Sequence, residues 1–325
     1  MRLVFFGYHN IGHICLEVLG DLCRQYGDEI VAVVTHPDDP VENVWFASVR
    51  ELALAQNYPL YQPGDPNDGR FVEVMRRLEP DFIFSCYYRQ MLKKPLLDLP
   101  RYGALNLHGS LLPGYRGRCP VNWVLIHGEG ETGVTLHYME EKPDRGDVVA
   151  QKPVPITLED TALTLYAKMT AAAGELMRQT YPQLRAGVAP RIPQDHGRAS
   201  YFGGRRPEDG RIDWRQSAWQ IYNLVRAVTH PYPGAFTTHG GRKLFIWKGK
   251  VVNETLPMEC QPGQVTAILP GKGLVVGTGQ GGFLLQQGQF EGEPEVSGPK
   301  LAERGILPGH RLGEAPLILK EDEAT

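Results

Sequence analysis

Residues 104–123 read ALNLHGSLLPGYRGRCPVNW. The segment starts as a short apolar run and then breaks into a loop rich in Gly, Pro and Arg. Side chains of an extended strand alternate sides, so Asn106, His108 and Ser110 share one face while the chain stays extended. An amide, an imidazole and a hydroxyl in line at a strand end are costly to bury without partners. They are also suited to polarising a carbonyl and moving a proton. Such a pair taken alone equally fits an ordinary hydrogen-bonded strand end, so its place in the fold has to decide.

The flanking chain supplies that place. Arg2 to Phe6 reads as a buried strand, followed by Gly7-Tyr8-His9-Asn10-Ile11-Gly12 and a helix carrying Ile14, Leu16, Val18 and Leu19. The GxxxxG spacing marks a tight turn but is neither a dinucleotide fingerprint nor a P-loop. A second strand, Ile30 to Val34, precedes a helix expected over 43–56, a short strand near Leu60-Tyr61 and a helix over 71–78. Strand Asp81 to Cys86, a helical Met91 to Leu97 and strand Gly103 to Leu107 follow. Alternating strands and helices of this length predict a doubly wound, mostly parallel α/β sheet. Ligands in such sheets sit beyond the carboxyl ends of the strands, where Asn106 and His108 lie.

Beyond the opening stretch, residues 121–126 read as helix and Thr132 to Tyr138 as strand. A charged turn, Met139-Glu140-Glu141-Lys142-Pro143-Asp144-Arg145-Gly146-Asp147, then leads to a returning strand over 148–153. Asp160 fits as the cap of a long helix to about Arg185, with Leu165, Met169, Ala172 and Leu176 on one stripe. From Gly187 to Gly210, prolines and glycines interrupt all periodicity. The expected organisation is a catalytic domain over 1–190, a linker over 191–212, a second domain over 213–316 and a tail over 317–325. Within the second domain, one amphipathic helix ends at His230-Pro231 and several short glycine-separated strands follow, which predicts a small β-barrel.

Composition sets the outer limits. The 325 residues exceed the roughly 250–300 at which single cores stop growing, so two domains are expected. A formal net charge of −3 gives no footprint for a polyanionic partner, which weighs against a dedicated nucleic-acid binder. No apolar run approaches the ~18 residues of a membrane span, and the start lacks the pattern of a signal peptide. The five cysteines show no CxxC spacing and read as reduced thiols of a cytoplasmic protein. The ten histidines show no metal-ligand spacing, so no metal is expected. The sequence is compatible with a homo-oligomer.

Asp144, in a Gly- and Pro-containing turn, reads on its own as turn chemistry. The run NLHGSLLPGYRGRCPVNW, followed by GETGVTLHYMEEKPDRGDVVA, resembles the signature of folate-dependent formyltransferases. The resemblance covers the chain from Met1 to about Gly313. It implies a Rossmann-like formyltransferase domain with an OB-like barrel behind it. It also implies transfer of a formyl group from 10-formyltetrahydrofolate to a primary amine, with no metal, by a catalytic set of Asn106, His108 and Asp144. The folate pocket implied in the same way comprises Gln90, Met91, Leu92, Arg118 and the turn Glu140, Glu141, Lys142, Pro143 and Asp144.

Within the family, three acceptors compete. Glycinamide ribonucleotide enzymes resemble the catalytic elements but are single-domain, which the second domain here argues against. Methionyl-tRNA formyltransferases share both domains. They usually carry Gly-Thr-Pro after the first strand, a basic loop after the second, and Ala-Ala after the Arg-Gly of the catalytic loop. This chain has Gly7-Tyr8-His9-Asn10, an acidic loop with Asp38, Asp39 and Glu42, and Arg118-Cys119-Pro120 instead. Phosphate recognition relies on Lys and Arg, so an acidic loop there disfavours tRNA. Those three stretches resemble the formyltransferase half of ArnA-type enzymes, as do Phe84 to Arg89 and Tyr201 to Pro207. The expected acceptor is therefore a small nucleotide-linked amino sugar, foremost UDP-4-amino-4-deoxy-L-arabinose of lipid A decoration and polymyxin resistance. Methionyl-tRNA is the alternative.

Overall fold

The computed structural model describes residues 1–37, 43–252 and 260–313. The acidic loop Asp38, Asp39, Glu42 and the tail 317–325 lie outside the described residues. In chain order the elements begin β1 (Arg2–Gly7), α1 (His9–Tyr26), β2 (Glu29–Val34), α2 (Val49–Ala55), β3 (Leu60–Tyr61), α3 (Gly69–Arg77), β4 (Phe82–Cys86) and α4 (Lys94–Leu97). They continue β5 (Gly103–His108), β6 (Arg116–Gly117), α5 (Pro120–His127), β7 (Glu131–Tyr138), β8 (Val148–Pro155), α6 (Ala162–Ala186), β9 (Tyr201–Phe202) and α7 (Ala218–Val228). The last are β10 (Ala235–His239), β11 (Arg242–Val252), β12 (Val265–Leu269), β13 (Gly273–Gly277), β14 (Gly282–Phe290), β15 (Val296–Ser297) and α8 (Gly298–Glu303).

Two compact units are formed. One comprises Met1–Val121, Gly130–Leu158 and Thr164–Gly204; the other comprises Asn122–Glu129, Glu159–Leu163 and the chain from Arg205 onward. The stretch read as a linker over 191–212 is thus divided, with residues up to Gly204 in the first unit.

In the first unit, seven strands form one sheet in the order β3-β2-β1-β4-β5-β7-β8. The strands from β3 to β5 are parallel, whereas β7 pairs antiparallel with β5 and β8 antiparallel with β7. Strands β1, β2 and β4 are apolar on both faces because helices cover both sides, as a parallel sheet requires. Helix α1 buries Ile11, Cys15, Leu16, Leu19, Leu22 and Cys23 at helical spacing and stops at Gly27 in the left-handed region. The stripe Leu165, Met169, Ala172 and Leu176 of α6 lies in the core.

Helix α2 is shorter than the expected 43–56. Ser48 caps it through its side chain and Glu51 N–H. Before the cap, the Ala47 N–H is held by Asn10 Oδ1 at 2.7 Å, and Phe46 stacks on His9 with ring centroids 3.9 Å apart. These tertiary contacts outweigh helix propensity over 43–48. No described helix is long and apolar enough to cross a membrane.

The second unit carries α7, capped by the reciprocal Ser217–Gln220 box, and an antiparallel sheet in the order β10-β11-β14-β13-β12 with β15 on β14. An antiparallel sheet of this kind agrees with the small β domain read from the glycine-separated runs.

Candidate active site

Strand β5 occupies the position in the sheet where parallel meets antiparallel. Its neighbour β7 pairs so that Asn106 faces His137 and His108 faces Thr135. The hairpin from β7 to β8 turns through residues 139–147 and carries Asp144 back over the end of β5. One strand, its antiparallel partner and that turn therefore converge on one point.

Four polar side chains meet there. His108 is buried, and its Nε2–H donates to the Tyr115 carbonyl at 2.8 Å. Its Nδ1 lies 3.5 Å from Asp144 Oδ1. His137 is also buried; its Nδ1–H donates to the Tyr138 carbonyl at 2.7 Å. That tautomer leaves His137 Nε2 as an acceptor for one Asn106 Nδ2–H, at 3.2 Å. The same Nε2 is 3.6 Å from Asp144 Oδ1. Asp144 Oδ2 accepts the Gly117 N–H at 2.8 Å.

Charge follows from this geometry. Burial alone would raise the Asp144 carboxyl, but His108, His137 and the Gly117 N–H outweigh it and hold the group down at about 2. On His108 burial is the dominant influence and lowers its pKa, against the upward pull of Asp144 and the Tyr115 carbonyl. The site thus presents a fixed carboxylate beside an imidazole that can gain a proton when further negative charge approaches.

The loop after β5 is pinned from several directions. Ser110 Oγ donates to the Gly114 carbonyl at 2.6 Å, and Thr135 Oγ1 to the Ser110 carbonyl at 2.6 Å. Gln151 Nε2 donates to the Leu112 carbonyl at 2.8 Å. Farther along, the Tyr115 N–H donates to Ser200 Oγ at 2.9 Å, and the Tyr115 ring stacks on Phe202. Tyr115, Cys119 and Asp144 all have φ near +55°. Non-glycine residues in that region store about 1–3 kcal/mol each and persist where surroundings dictate them, typically around functional sites.

The remaining candidates are placed as follows. Met91 and Gln90 are exposed after β4, and Gln90 Nε2 donates to the Gly64 carbonyl at 3.0 Å. Leu92 is 1 % exposed and belongs to the core with Val4, Phe6 and Ile83, so its side chain is no pocket wall and its backbone is what a ligand could meet. Glu140, Glu141, Lys142 and Pro143 line the exposed turn, and Glu141 lies close enough to Lys94 to act on it electrostatically. Met139, at the start of that turn, packs on the same core cluster as Leu92, which brings the two segments together. Arg118 is exposed, with its backbone N–H on the Phe202 carbonyl and its guanidinium packed over Gly204. Among the described residues no group of three or more His, Cys, Asp or Glu is placed to hold a metal ion.

Two comparisons bear on this arrangement. Residues 1–181 match the family model described as formyl transferase, and residues 205–304 match that of the formyl transferase C-terminal domain. The chain belongs to the formyl transferase family. Among solved structures, this formyltransferase resembles an N-formyltransferase from Helicobacter canadensis in complex with folinic acid and dTDP-3-aminofucose. That match has 19% identity and a TM-score of 0.66, over 88% of this chain and 98% of the other. WlaRD, a sugar 3N-formyl transferase crystallised with dTDP and 5-N-formyl-THF, gives 17% identity and a TM-score of 0.63 over 90% and 99% of the two chains. HypX from Aquifex aeolicus gives 18% identity and a TM-score of 0.61, over 95% of this chain but 48% of the other. This formyltransferase therefore spans about half the length of HypX. At these identities the likeness is one of fold.

His137 escaped the sequence reading, although a signal for it existed. Thr135 and His137 alternate along β7 as Asn106 and His108 do along β5, and antiparallel pairing sets the two alternations face to face.

Proposed function

We propose that this formyltransferase moves the formyl group of 10-formyltetrahydrofolate to the primary amine of a nucleotide-linked amino sugar, with Asn106, His108 and Asp144 as its catalytic groups. The observation that carries the reading is the convergence of Asn106, His108, His137 and Asp144 on one network at the end of β5. The folate donor and the amino-sugar acceptor draw support from two relatives of the same fold, one bound to folinic acid with dTDP-3-aminofucose and one studied with 5-N-formyl-THF and dTDP.

In the proposed reaction the acceptor nitrogen attacks the formyl carbon and a tetrahedral oxyanion forms. Asn106 has one Nδ2–H committed to His137 and a second available to that oxyanion. The Nε2–H of His108, which here donates to the Tyr115 carbonyl, is the other donor for which a formyl oxygen can compete. Asp144 stabilises the imidazolium, and the pair relays the proton of the attacking amine to the departing folate nitrogen. Gln90, Met91, the Leu92 backbone, Arg118 and residues 140–144 are the proposed folate contacts.

For the acceptor the proposal is UDP-4-amino-4-deoxy-L-arabinose, on the sequence likeness at Tyr8-His9-Asn10, at residues 35–40 and at Arg118-Cys119-Pro120. A side-by-side assay of tetrahydrofolate release with that sugar nucleotide, other nucleotide-linked amino sugars and methionyl-tRNA tests it. Turnover with an amino-sugar nucleotide is expected. Efficient formylation of methionyl-tRNA alone would overturn the acceptor, and Asn106→Ala or Asp144→Asn enzyme with near wild-type turnover would overturn the catalytic set.

A further inference from the structure

The stretch 191–204 has no periodicity, yet one of its side chains reaches the turn that carries Asp144. Gln194 Nε2 donates to two backbone carbonyl oxygens of that turn, Asp144 O at 3.1 Å and Gly146 O at 2.7 Å. Its Oε1 accepts from Arg116 Nη2 at 2.5 Å. The orientation of the Gln194 amide is therefore settled: the guanidinium can only donate, so the oxygen must face it and the NH2 must face the turn.

Arg116 is 1 % exposed and has no carboxylate partner among the described residues. Besides Gln194, its Nη1 donates to Tyr201 Oη at 2.7 Å, its Nη2 approaches His196 Nδ1 at 3.0 Å, and its Nε has no partner. A guanidinium held by neutral groups alone is an expensive way to build a core, and apolar residues of similar volume would stabilise at least as well. Its position explains it better. Arg116 immediately precedes Gly117, whose N–H binds the Asp144 carboxylate. The two-residue strand β6 thus grips Asp144 twice, at the carboxylate through Gly117 and at the backbone through Gln194. The backbone grip matters because Asp144 sits at φ +57°, a conformation it would tend to leave if its carbonyl were released.

We propose that Gln194, locked by the buried Arg116, is a positioning residue that holds the Asp144 turn so that the carboxylate meets both His108 and the Gly117 N–H. The inference rests on the proposed catalytic role of Asp144. Only an amide meets its demands, because one end must donate to two carbonyls while the other accepts from a guanidinium. Glutamate keeps the second function and loses the first; methionine of nearly the same size loses both.

Gln194→Met and Gln194→Glu, with Asp144→Asn as reference, test the proposal in the full chain. Both Gln194 variants are expected to lose about 10²-fold in kcat, the scale of a small misplacement of a catalytic group, while KM for the amino-sugar acceptor stays near wild type. A second readout separates positioning from mere support. The imidazole of His108 is faced by Asp144, His137, Arg116 and the Tyr115 carbonyl, and Asp144 is the charged group that raises its pKa. In Gln194→Met the NMR titration midpoint of His108 is therefore expected to move to lower pH. Should the methionine variant fail to fold, the glutamate variant decides, since it retains the Arg116 partner. If Asp144→Asn is inactive while folded Gln194 variants keep wild-type kcat and an unmoved His108 titration, the positioning role is overturned. It is overturned equally if lost activity tracks only the unfolded fraction. If Asp144→Asn itself remains active, the failure belongs to the catalytic assignment.

Discussion

Replacing Gly117 by alanine adds one methyl group at the most constrained point beside the site. Gly117 has φ +98°, and a Cβ there would overlap the carbonyl oxygen of Phe202 across the β6–β9 pair. The obstacle is backbone on both sides, so no side chain can swing away. Relief requires β6 and β9 to separate, which stretches the 2.9 Å bond from Arg118 N–H to the Phe202 carbonyl and the 2.8 Å bond from Gly117 N–H to Asp144 Oδ2. A non-glycine residue in that region costs about 1–3 kcal/mol, and weakening a hydrogen bond to a charged group adds about 1.5–3, giving a loss on the order of 3–5 kcal/mol. For a unit of this size that corresponds to a fall of roughly 10 °C in melting temperature. Turnover should fall about 10²-fold at temperatures where the variant is still folded, because Asp144 loses its only backbone N–H donor among the described residues. Differential scanning calorimetry and steady-state kinetics read the two effects, and Gly203→Ala, whose added methyl meets nothing within 4 Å, serves as the control. A Gly117→Ala enzyme with wild-type melting temperature and kcat would refute the account of how Asp144 is held.

Two further outcomes follow from the same geometry. His137→Phe keeps the ring volume but removes the acceptor for Asn106, so kcat is expected to fall by about 10–10²-fold with folate binding, measured by fluorescence titration, little changed. Stability should also depend on pH with a definite sign. Asp144 is lowered from an ordinary 3.8 to about 2, which contributes roughly 2 kcal/mol above pH 4 that is lost as the pH falls toward 2. His108 is lowered below 6.5 by burial, so the unfolded chain takes up a proton before the native one does and stability begins to decline below about pH 6.5. Urea midpoints measured from pH 7 to pH 3 should fall, with a shallower upper decline in His108→Gln and a shallower lower decline in Asp144→Asn; His239 and Asp28, shifted in the same directions, keep a remainder of each in both variants.

How far the sequence discloses this site depends on whether a residue belongs to a periodic segment. Asn106 and His108 stand out because a strand of period two ends where an α/β sheet binds its ligands. His137 obeys the same period, but its relevance depends on the register of β7 against β5, which is a long-range property. Asp144 is indistinguishable from any turn aspartate until its partners are known, and only the family resemblance joins it to them. Gln194, Ser200 and Tyr201 sit in a stretch broken by Pro193, Gly197 and Gly203, where no pattern predicts contact with a loop 78 to 85 residues earlier in the chain. The helix expected from residue 43 fails for a related reason: Asn10 and His9 claim Ala47 and Phe46 through contacts that propensity does not contain.

That division has a physical cause. Periodic elements are specified by burial, and burial tolerates many sequences of similar pattern. Here the proposed catalytic groups instead lie among three left-handed residues, Tyr115, Cys119 and Asp144, none of which is a glycine. Each conformation would relax if its neighbours let go, at about 1–3 kcal/mol apiece. What prevents relaxation comes from elsewhere in the chain: Ser200 holds Tyr115, Gly117 holds the Asp144 carboxylate, and Gln194 holds its backbone. Groups held in this way have little to reorganise around them when charge develops, which is the condition under which electrostatic stabilisation is largest. The aperiodic segment from 191 to 204 therefore supplies tertiary contacts to the loop after β5 and to the Asp144 turn. It completes the set of contacts that holds a carboxylate, two imidazoles and one amide in the arrangement the proposed reaction requires.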